Sequence, residues 1–280
     1  MIADMKNVAA DVARALVEDI GSGDITAALL PADLIVQADI ISREPMLVCG
    51  RPWVEAVFKQ IDPAIKLQWL VDEGAWLSEA TTLCQVQGLA RAILTAERTA
   101  LNFLQTLSAT ATQTHHYLQQ LKGSNTRLLD TRKTLPGLRL AQKYAVACAG
   151  GSNHRLGLYD AFLIKENHIK ACGSITAAIE LARKINHGLL VEIEVESLDE
   201  LREALAGMPD RVLLDNFSHE MLVAAVAINQ PHQCSLEVSG GVNLASIASI
   251  AKTGVQYVSV GAITKSIQAI DLSLLIKDVS

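Results

Sequence analysis

Aromatic side chains are scarce in this chain: they make up 4% of its 280 residues, although half of all residues are hydrophobic. Alanine, leucine, valine and isoleucine therefore carry the apolar mass, which fits α/β layers with parallel strands buried on both faces. Paired cysteines are missing too. Cys49, Cys84, Cys148, Cys172 and Cys234 are dispersed, odd in number and without a CxxC spacing. That pattern speaks against a zinc site and for a reducing compartment. No apolar run reaches the roughly 20 residues of a membrane span. Asp4, Asp11, Glu18 and Asp19 make the first twenty residues unlike a signal or transit peptide. The formal net charge of −6 excludes a broad nucleic-acid surface, so any basic cluster is local and its target a small anion. A cytoplasmic protein with no nucleic-acid or membrane partner is expected, long enough for one large or two modest domains.

What the chain does hold falls into two styles. Val8, Val12, Leu16 and Ile20 recur at helical spacing and stop at Gly21-Ser22-Gly23. Asp24 then opens a new element as a capping acid. Alternating apolar and polar residues predict strands over 35–43, 65–71 and 82–87, the last closed by Gly88. Pro52 suits the first turn of a helix reaching Ile61. A long helical pattern over 90–121 follows, with Arg98 inside Glu97-Arg98-Thr99-Ala100-Leu101-Asn102. Arg98 reads first as a surface residue paired with a nearby acid, and His115 and His116 as structural.

After Gly123, strands alternate with helices. Strands are predicted at 127–131, 161–165, 189–195, 211–216, 235–239 and 257–261. Helices are predicted at 138–148, 174–185, 198–206, 219–228 and 244–252. This alternation implies βαβ units and a parallel sheet, as an incomplete barrel or, second, an open doubly wound sheet.

Each predicted strand ends in polar or very small residues: Thr131, Arg132 and Lys133; Lys165; Glu194; Asp215; Ser239, Gly240 and Gly241; and Gly261. Barrel active sites lie at the carboxyl ends of their strands, where these groups would converge. Gly240-Gly241 and Gly261 end the last two strands, where barrels bind phosphate through backbone N–H groups. Glu194 and Asp215 suit ribose hydroxyls or Mg²⁺. Glu192, two residues deeper, has the alternative of being neutralised inside the barrel by a lysine. His154 and Arg155, after Gly150-Gly151, add to the cations of Arg132, Lys133 and Lys165. Such crowding calls for an anion of more than one charge, and the inferred ligands are a phosphorylated sugar and a polycarboxylate. There is no serine or cysteine elbow.

Three of these stretches are long and specific: Asp130-Thr131-Arg132-Lys133-Thr134-Leu135-Pro136-Gly137, Asn153-His154-Arg155-Leu156-Gly157-Leu158 and Leu163-Ile164-Lys165-Glu166-Asn167-His168-Ile169. With Gly23-Asp24-Ile25-Thr26, the Arg98 segment and Val260-Gly261-Ala262, they resemble the quinolinate phosphoribosyltransferase family over nearly the whole chain. Ala149 stands where family members usually carry a third glycine. The resemblance implies an N-terminal α/β sandwich domain over 1–107, rejoined by a tail over 265–280, and an incomplete, seven-stranded α/β barrel over 108–264. It implies transfer of phosphoribosyl from phosphoribosyl pyrophosphate to quinolinate with decarboxylation, with Mg²⁺, in NAD biosynthesis. Lys133, Lys165, Glu194 and Asp215 would be catalytic, the two acids also serving a metal held mainly through substrate. Substrate would further meet Thr131, Arg132, His154, Arg155, Ser239, Gly240, Gly241, Val260, Gly261 and Ala262. A homodimer is implied, with Arg98 serving the partner's site; some bacterial relatives form hexamers as trimers of dimers. The alternatives are a paralogue taking nicotinate or another aromatic acid, a generic sugar-phosphate barrel enzyme, and a non-catalytic anion-binding module. Neither of the last two needs the full set of cations and acids that is present.

Overall fold

The computed structural model describes residues 3–232 and 234–279. By compactness the chain divides into a first unit, Met1–His115 with Leu135–Gly150 and Ile263–Ser280, and a second, His116–Thr134 with Gly151–Ala262.

In the first unit, α1 (Met5–Ile20) begins where the Asp4 carboxylate accepts the N–H of Lys6 and ends at Gly21, whose N–H bonds Val17. Strand β1 (Ile35–Ser42) is followed by the short β2 (Met46–Leu47) and by α2 (Arg51–Ile61). Gly50 has no side chain to cap α2. The Glu73 carboxylate does so instead, accepting the N–H groups of Gly50 at 2.9 Å and Arg51 at 3.2 Å. Then come β3 (Lys66–Trp69), β4 (Trp76–Leu77), β5 (Thr81–Leu89) and the long α3 (Ala90–Gln120). Strand β5 runs through Gly88 rather than stopping at it. A Cβ there would lie 2.8 Å from Ile65 Cγ1, so the glycine serves strand packing, not termination. The chain's last strand, β12 (Leu272–Val279), pairs antiparallel with β1, giving an antiparallel sheet in the order β12-β1-β5-β3. Val8 and Val12 of α1, Phe58 of α2, and Ile93 and Leu104 of α3 join Ile40 and Val86 of the sheet in one core. His115 stacks on Trp76, with ring centroids 4.4 Å apart.

The second unit is built on six parallel strands. Strand β6 (Arg127–Leu129) precedes α4 (Arg139–Cys148), which belongs to the first unit. Thereafter β7 (Ala161–Ile164), α5 (Glu166–Cys172), α6 (Ile175–Ile185), β8 (Leu190–Val195), α7 (Leu198–Ala206) and β9 (Arg211–Asp215) alternate. The series ends with α8 (His219–Asn229), β10 (Ser235–Ser239), α9 (Ile247–Ala251), β11 (Tyr257–Ser259) and α10 (Ala262–Lys265). Ser174, Ser197 and Ser218 cap α6, α7 and α8 with their hydroxyls, which sets where each crossover helix starts. Helix α9 is shorter than its apolar spacing predicts. The Asn243 side chain accepts the N–H groups of Ala245 and Ser246 and holds that stretch as a turn. Helix α5 begins directly after Lys165, where the sequence reading placed only a polar strand end.

The sheet order is β6-β11-β10-β9-β8-β7, so consecutive strands from β7 to β11 are neighbours and β6 closes on β11. Strands β6 and β7 are the two edges. Beyond β6, Ser152 makes a parallel bridge to Leu129, donates to Leu128 and accepts from Asp130. That single bridge is what the described residues show at the seventh position of the incomplete barrel.

Candidate active site

One cavity of about 320 Å³ opens at the carboxyl ends of the parallel strands. Its wall takes Thr131, Arg132 and Lys133 from beyond β6, Leu163 from β7, Lys165 from just beyond it, and Glu194 from β8. Leu213 comes from β9, Glu237 and Ser239 from β10, and Ser259 from β11, while His154 and Arg155 enter from the Ser152 segment. Side chains from both edge strands reach the same cavity, so the sheet is curled as in a barrel, not open.

The cations are placed by backbone and side-chain contacts alike. Lys133 is exposed, its backbone N–H fixed by Thr131 Oγ1 at 3.0 Å. Gly261 lets it lie close, because a Cβ there would stand 3.1 Å from Lys133 Cδ. Arg155 donates to the carbonyl of Ala161. Burial first, and the charge of Arg132 second, lower the Arg155 pKa. A guanidinium whose charge is disfavoured beside a second guanidinium suits an anionic ligand. Lys165 pairs with Glu194, whose side chain is 11% exposed.

Alternation along β8 puts Glu192 and Glu194 on one face, with Val191, Ile193 and Val195 buried on the other. Glu194 sits nearer the mouth, as expected. Glu192 is 1% exposed, but a lysine does not neutralise it: His154 Nε2 lies 3.0 Å from its Oε2. Burial is the first cause that raises its pKa, and Arg211 is the first to oppose it. Asp215, half-buried, accepts from the Asn216 amide at 2.8 Å.

The glycine ends have backbone reasons. Asn216 and Gly240 both have positive φ, 56° and 87°, and a Cβ on Gly240 would meet Asn216 Oδ1 at 2.2 Å. Gly241, also at positive φ, is exposed beside it, and Val260 donates its N–H to Leu129, carrying the β11 end toward β6. Gly261 and Ala262 follow at the start of α10. Asp215, Gly240, Gly241, Val260, Gly261 and Ala262 thus stand at strand ends without forming the cavity wall itself. Arg98, a residue of the first unit, is an exposed side chain of α3 whose Nη2 lies 3.1 Å from Glu97.

Sequence reasoning missed Glu237, Ser259, Leu163 and Leu213. The signal for Glu237 was there: Ser235, Glu237 and Ser239 alternate with Leu236 and Val238 just as the acids of β8 do with their aliphatics. Glu237 is fully buried, with Oε2 2.9 Å from Arg211 Nη1. Among the described residues, two groups have donor atoms close enough for a metal: His154, Glu192 and Glu237, and, in the first unit, Cys49, Glu73 and Cys148. Cys49 and Cys148 come together only through folding, and Glu73 there is already engaged by α2 and by the Tyr144 hydroxyl.

Comparison with known proteins agrees with this geometry. Residues 24–108 match the quinolinate phosphoribosyl transferase N-terminal domain, and residues 110–275 match the C-terminal domain of the same family. The chain is 41% identical to a nicotinate-nucleotide pyrophosphorylase [carboxylating] of Mycobacterium leprae, over 94% of this chain and 95% of that protein. It is 37% identical to a probable enzyme of the same name from Bacillus subtilis, over 92% and 89%. The solved structure of the nicotinate-nucleotide pyrophosphorylase from Francisella tularensis superposes with a TM-score of 0.95 at 48% identity, covering 99% of this chain and 98% of that one. With both domains matched along nearly its full length, the chain belongs to the quinolinate phosphoribosyltransferase family.

Proposed function

We propose that this protein transfers the phosphoribosyl group of phosphoribosyl pyrophosphate to quinolinate with decarboxylation. The products are nicotinate mononucleotide, CO₂ and pyrophosphate, a step in NAD biosynthesis. The observation that carries it is the wall of one cavity: Arg132, Lys133, Arg155 and Lys165 face the same space, with Glu194 at its mouth.

The chemistry has two steps. The pyridine nitrogen meets C1 of the ribose as pyrophosphate leaves, and Lys133 and Lys165 offset the charge on the leaving group. Positioning and electrostatics supply most of the gain, since no covalent enzyme intermediate is required. Ribosylation leaves a positive ring nitrogen beside C2, so loss of CO₂ from C2 gives a carbanion next to a cation. A cavity walled by Leu163 and Leu213 as well as by charges lowers the local dielectric and strengthens that stabilisation.

Glu194 and Asp215, at neighbouring strand ends, hold the ribose. Both present hard oxygen donors, the set that suits Mg²⁺ bound mainly through pyrophosphate, whose charge the ion would offset. The glycines at 240, 241 and 261 let the backbone approach the phosphate. Lys165 must release Glu194 as the sugar arrives, and pyrophosphate takes the lysine. We further propose a homodimer in which Arg98 completes the partner's site, the functional division of the chain at 1–107, 108–264 and 265–280, and a cytoplasmic place. No helix among the described residues is long and apolar enough to cross a membrane, and all five cysteines are free thiols.

The test is pyrophosphate release with quinolinate set beside nicotinate. Nicotinate lacks the 2-carboxylate and would leave donors of the cavity unpaired, which permits discrimination of about 10⁴-fold. Comparable kcat/KM on the two acids would sink the assignment.

A further inference from the structure

His154 is gripped at both ring nitrogens. Its Nδ1 accepts the backbone N–H of Arg155 at 2.8 Å, so that nitrogen presents a lone pair and not a hydrogen. The ring's one hydrogen is then on Nε2, which faces Glu192 Oε2 at 3.0 Å and Glu237 Oε1 at 3.5 Å. The two carboxylates come from β8 and β10, either side of β9, and Arg211 of β9 completes the set with its contact to Glu237. Arg211 is itself held over the Tyr257 ring, 4.0 Å from its centroid.

Two buried acids side by side cost stability that apolar side chains of similar size would not. The cost is visible in the atoms: Glu192 Oε1 is buried without a hydrogen-bond partner, and Glu237 Oε1 has His154 Nε2 no nearer than 3.5 Å. An arrangement that serves packing alone would not need them. Both acids converge on one imidazole, and that imidazole holds the main chain of Arg155, whose side chain lines the cavity.

We propose that Glu192 and Glu237 are positioning residues, which hold His154 as a neutral Nε2–H imidazole so that its Nδ1 fixes Arg155 and the guanidiniums of Arg132 and Arg155 are the charges that meet the quinolinate carboxylates. His154 then contributes to quinolinate binding through Arg155 and not as a cation of its own. A metal ion is the competing occupant of the same three side chains. The Arg211 guanidinium, 2.9 Å from Glu237, already stands as a cation beside the acids, which disfavours a second one there.

The proposal rests on the quinolinate reading of the site only in its kinetic arm. The structural arm is long-range ¹H–¹⁵N spectroscopy of the full chain with labelled histidine at neutral pH, His154 being assigned by its loss in His154→Gln. One bare and one protonated nitrogen are expected. Glu192→Leu removes the acceptor and should mix the two tautomers, while Glu192→Gln, which keeps an acceptor oxygen, should retain the wild-type pattern. In the kinetic arm, Glu192→Leu should raise the KM for quinolinate by about tenfold and leave that for phosphoribosyl pyrophosphate unchanged, with Glu192→Gln largely rescued. If the leucine variant fails to fold, the wild-type spectrum and the glutamine variant still decide. A doubly protonated ring in the wild type would overturn the proposal, as would equal rises in both KM values. So would one zinc per chain retained on dialysis and lost in Glu237→Gln. If the wild type did not turn over quinolinate at all, the functional reading would fall and the spectrum would still judge the tautomer.

Discussion

Asp130 and His154 are 24 positions apart in the chain, and the buried carboxylate of the first accepts the backbone N–H of the second at 2.9 Å. Its other oxygen accepts the side-chain amide of Asn153 at 2.6 Å. One acid at the end of β6 therefore sets the segment that carries both His154 and Arg155 into the cavity. Asp130→Asn keeps the shape but turns one acceptor into a donor that faces another donor. A loss of about 1–3 kcal/mol in unfolding free energy is expected, together with a raised KM for quinolinate. Urea unfolding and steady-state kinetics check both, and a variant as stable as the wild type would contradict the role.

Glu194→Gln and Asp215→Asn should act on the other substrate. Each amide keeps its shape at the strand end and loses its charge, so phosphoribosyl pyrophosphate with Mg²⁺ should bind or react poorly. Quinolinate affinity of the free enzyme should change little. Calorimetry finding quinolinate affinity lost and the sugar phosphate untouched would reverse these roles.

Stability should carry a pH signature of Glu237. Burial first, and the neighbouring Glu192 second, push its carboxyl up to about 7, against an ordinary value of 4.5. Between those values the folded protein holds a proton that the unfolded chain has released. The folded state is therefore favoured at the low end of the window and loses that advantage as pH rises toward about 7, levelling above it. Glu237→Gln does not titrate, so its melting temperature should fall less over the same range. Parallel curves for the two proteins would count against a raised Glu237.

Arg98 is exposed on its own chain, paired only loosely with Glu97. A dicarboxylate needs more than one cationic fork, and in the homodimer proposed above this arginine would serve the partner's site. Arg98→Ala should lower activity by about a hundredfold or more, and Arg98→Lys should rescue it only in part, because an ammonium cannot bond a carboxylate bidentately. Arg98→Ala mixed with Lys165→Ala should regain activity, since a mixed dimer would hold one intact site. With subunit exchange confirmed by labelling, no recovery would mean that Arg98 serves its own chain.

What could be read from the sequence was what is written locally. The pattern of apolar residues located α1, α3 and all six parallel strands within a few positions, because burial on one face repeats at the spacing of the element itself, and Pro52 marked the first turn of α2. The polar strand ends were legible for the same reason: once a barrel is expected, the residue after each strand lies at its mouth. Arg132, Lys133, Arg155, Lys165, Glu194 and Ser239 do line the cavity there.

Tertiary structure decided which of these groups neutralise one another. Spacing along the chain carries no distance between β8 and β10, so the meeting of Glu192 and Glu237 at His154 was invisible, and the alternative of a lysine on Glu192 gives way to a histidine there and Arg211 on Glu237. The Ser152 bridge was equally hidden, since one residue has no period. Helix α5 escaped because Glu166-Asn167-His168 shows no apolar stripe; the His168 side chain that accepts the Lys165 N–H starts the helix instead. Residue types and their order sufficed for the elements and for most of the charges at the mouth, whereas the protonation and aim of those charges follow from contacts that only the curled sheet brings within 3 or 4 Å.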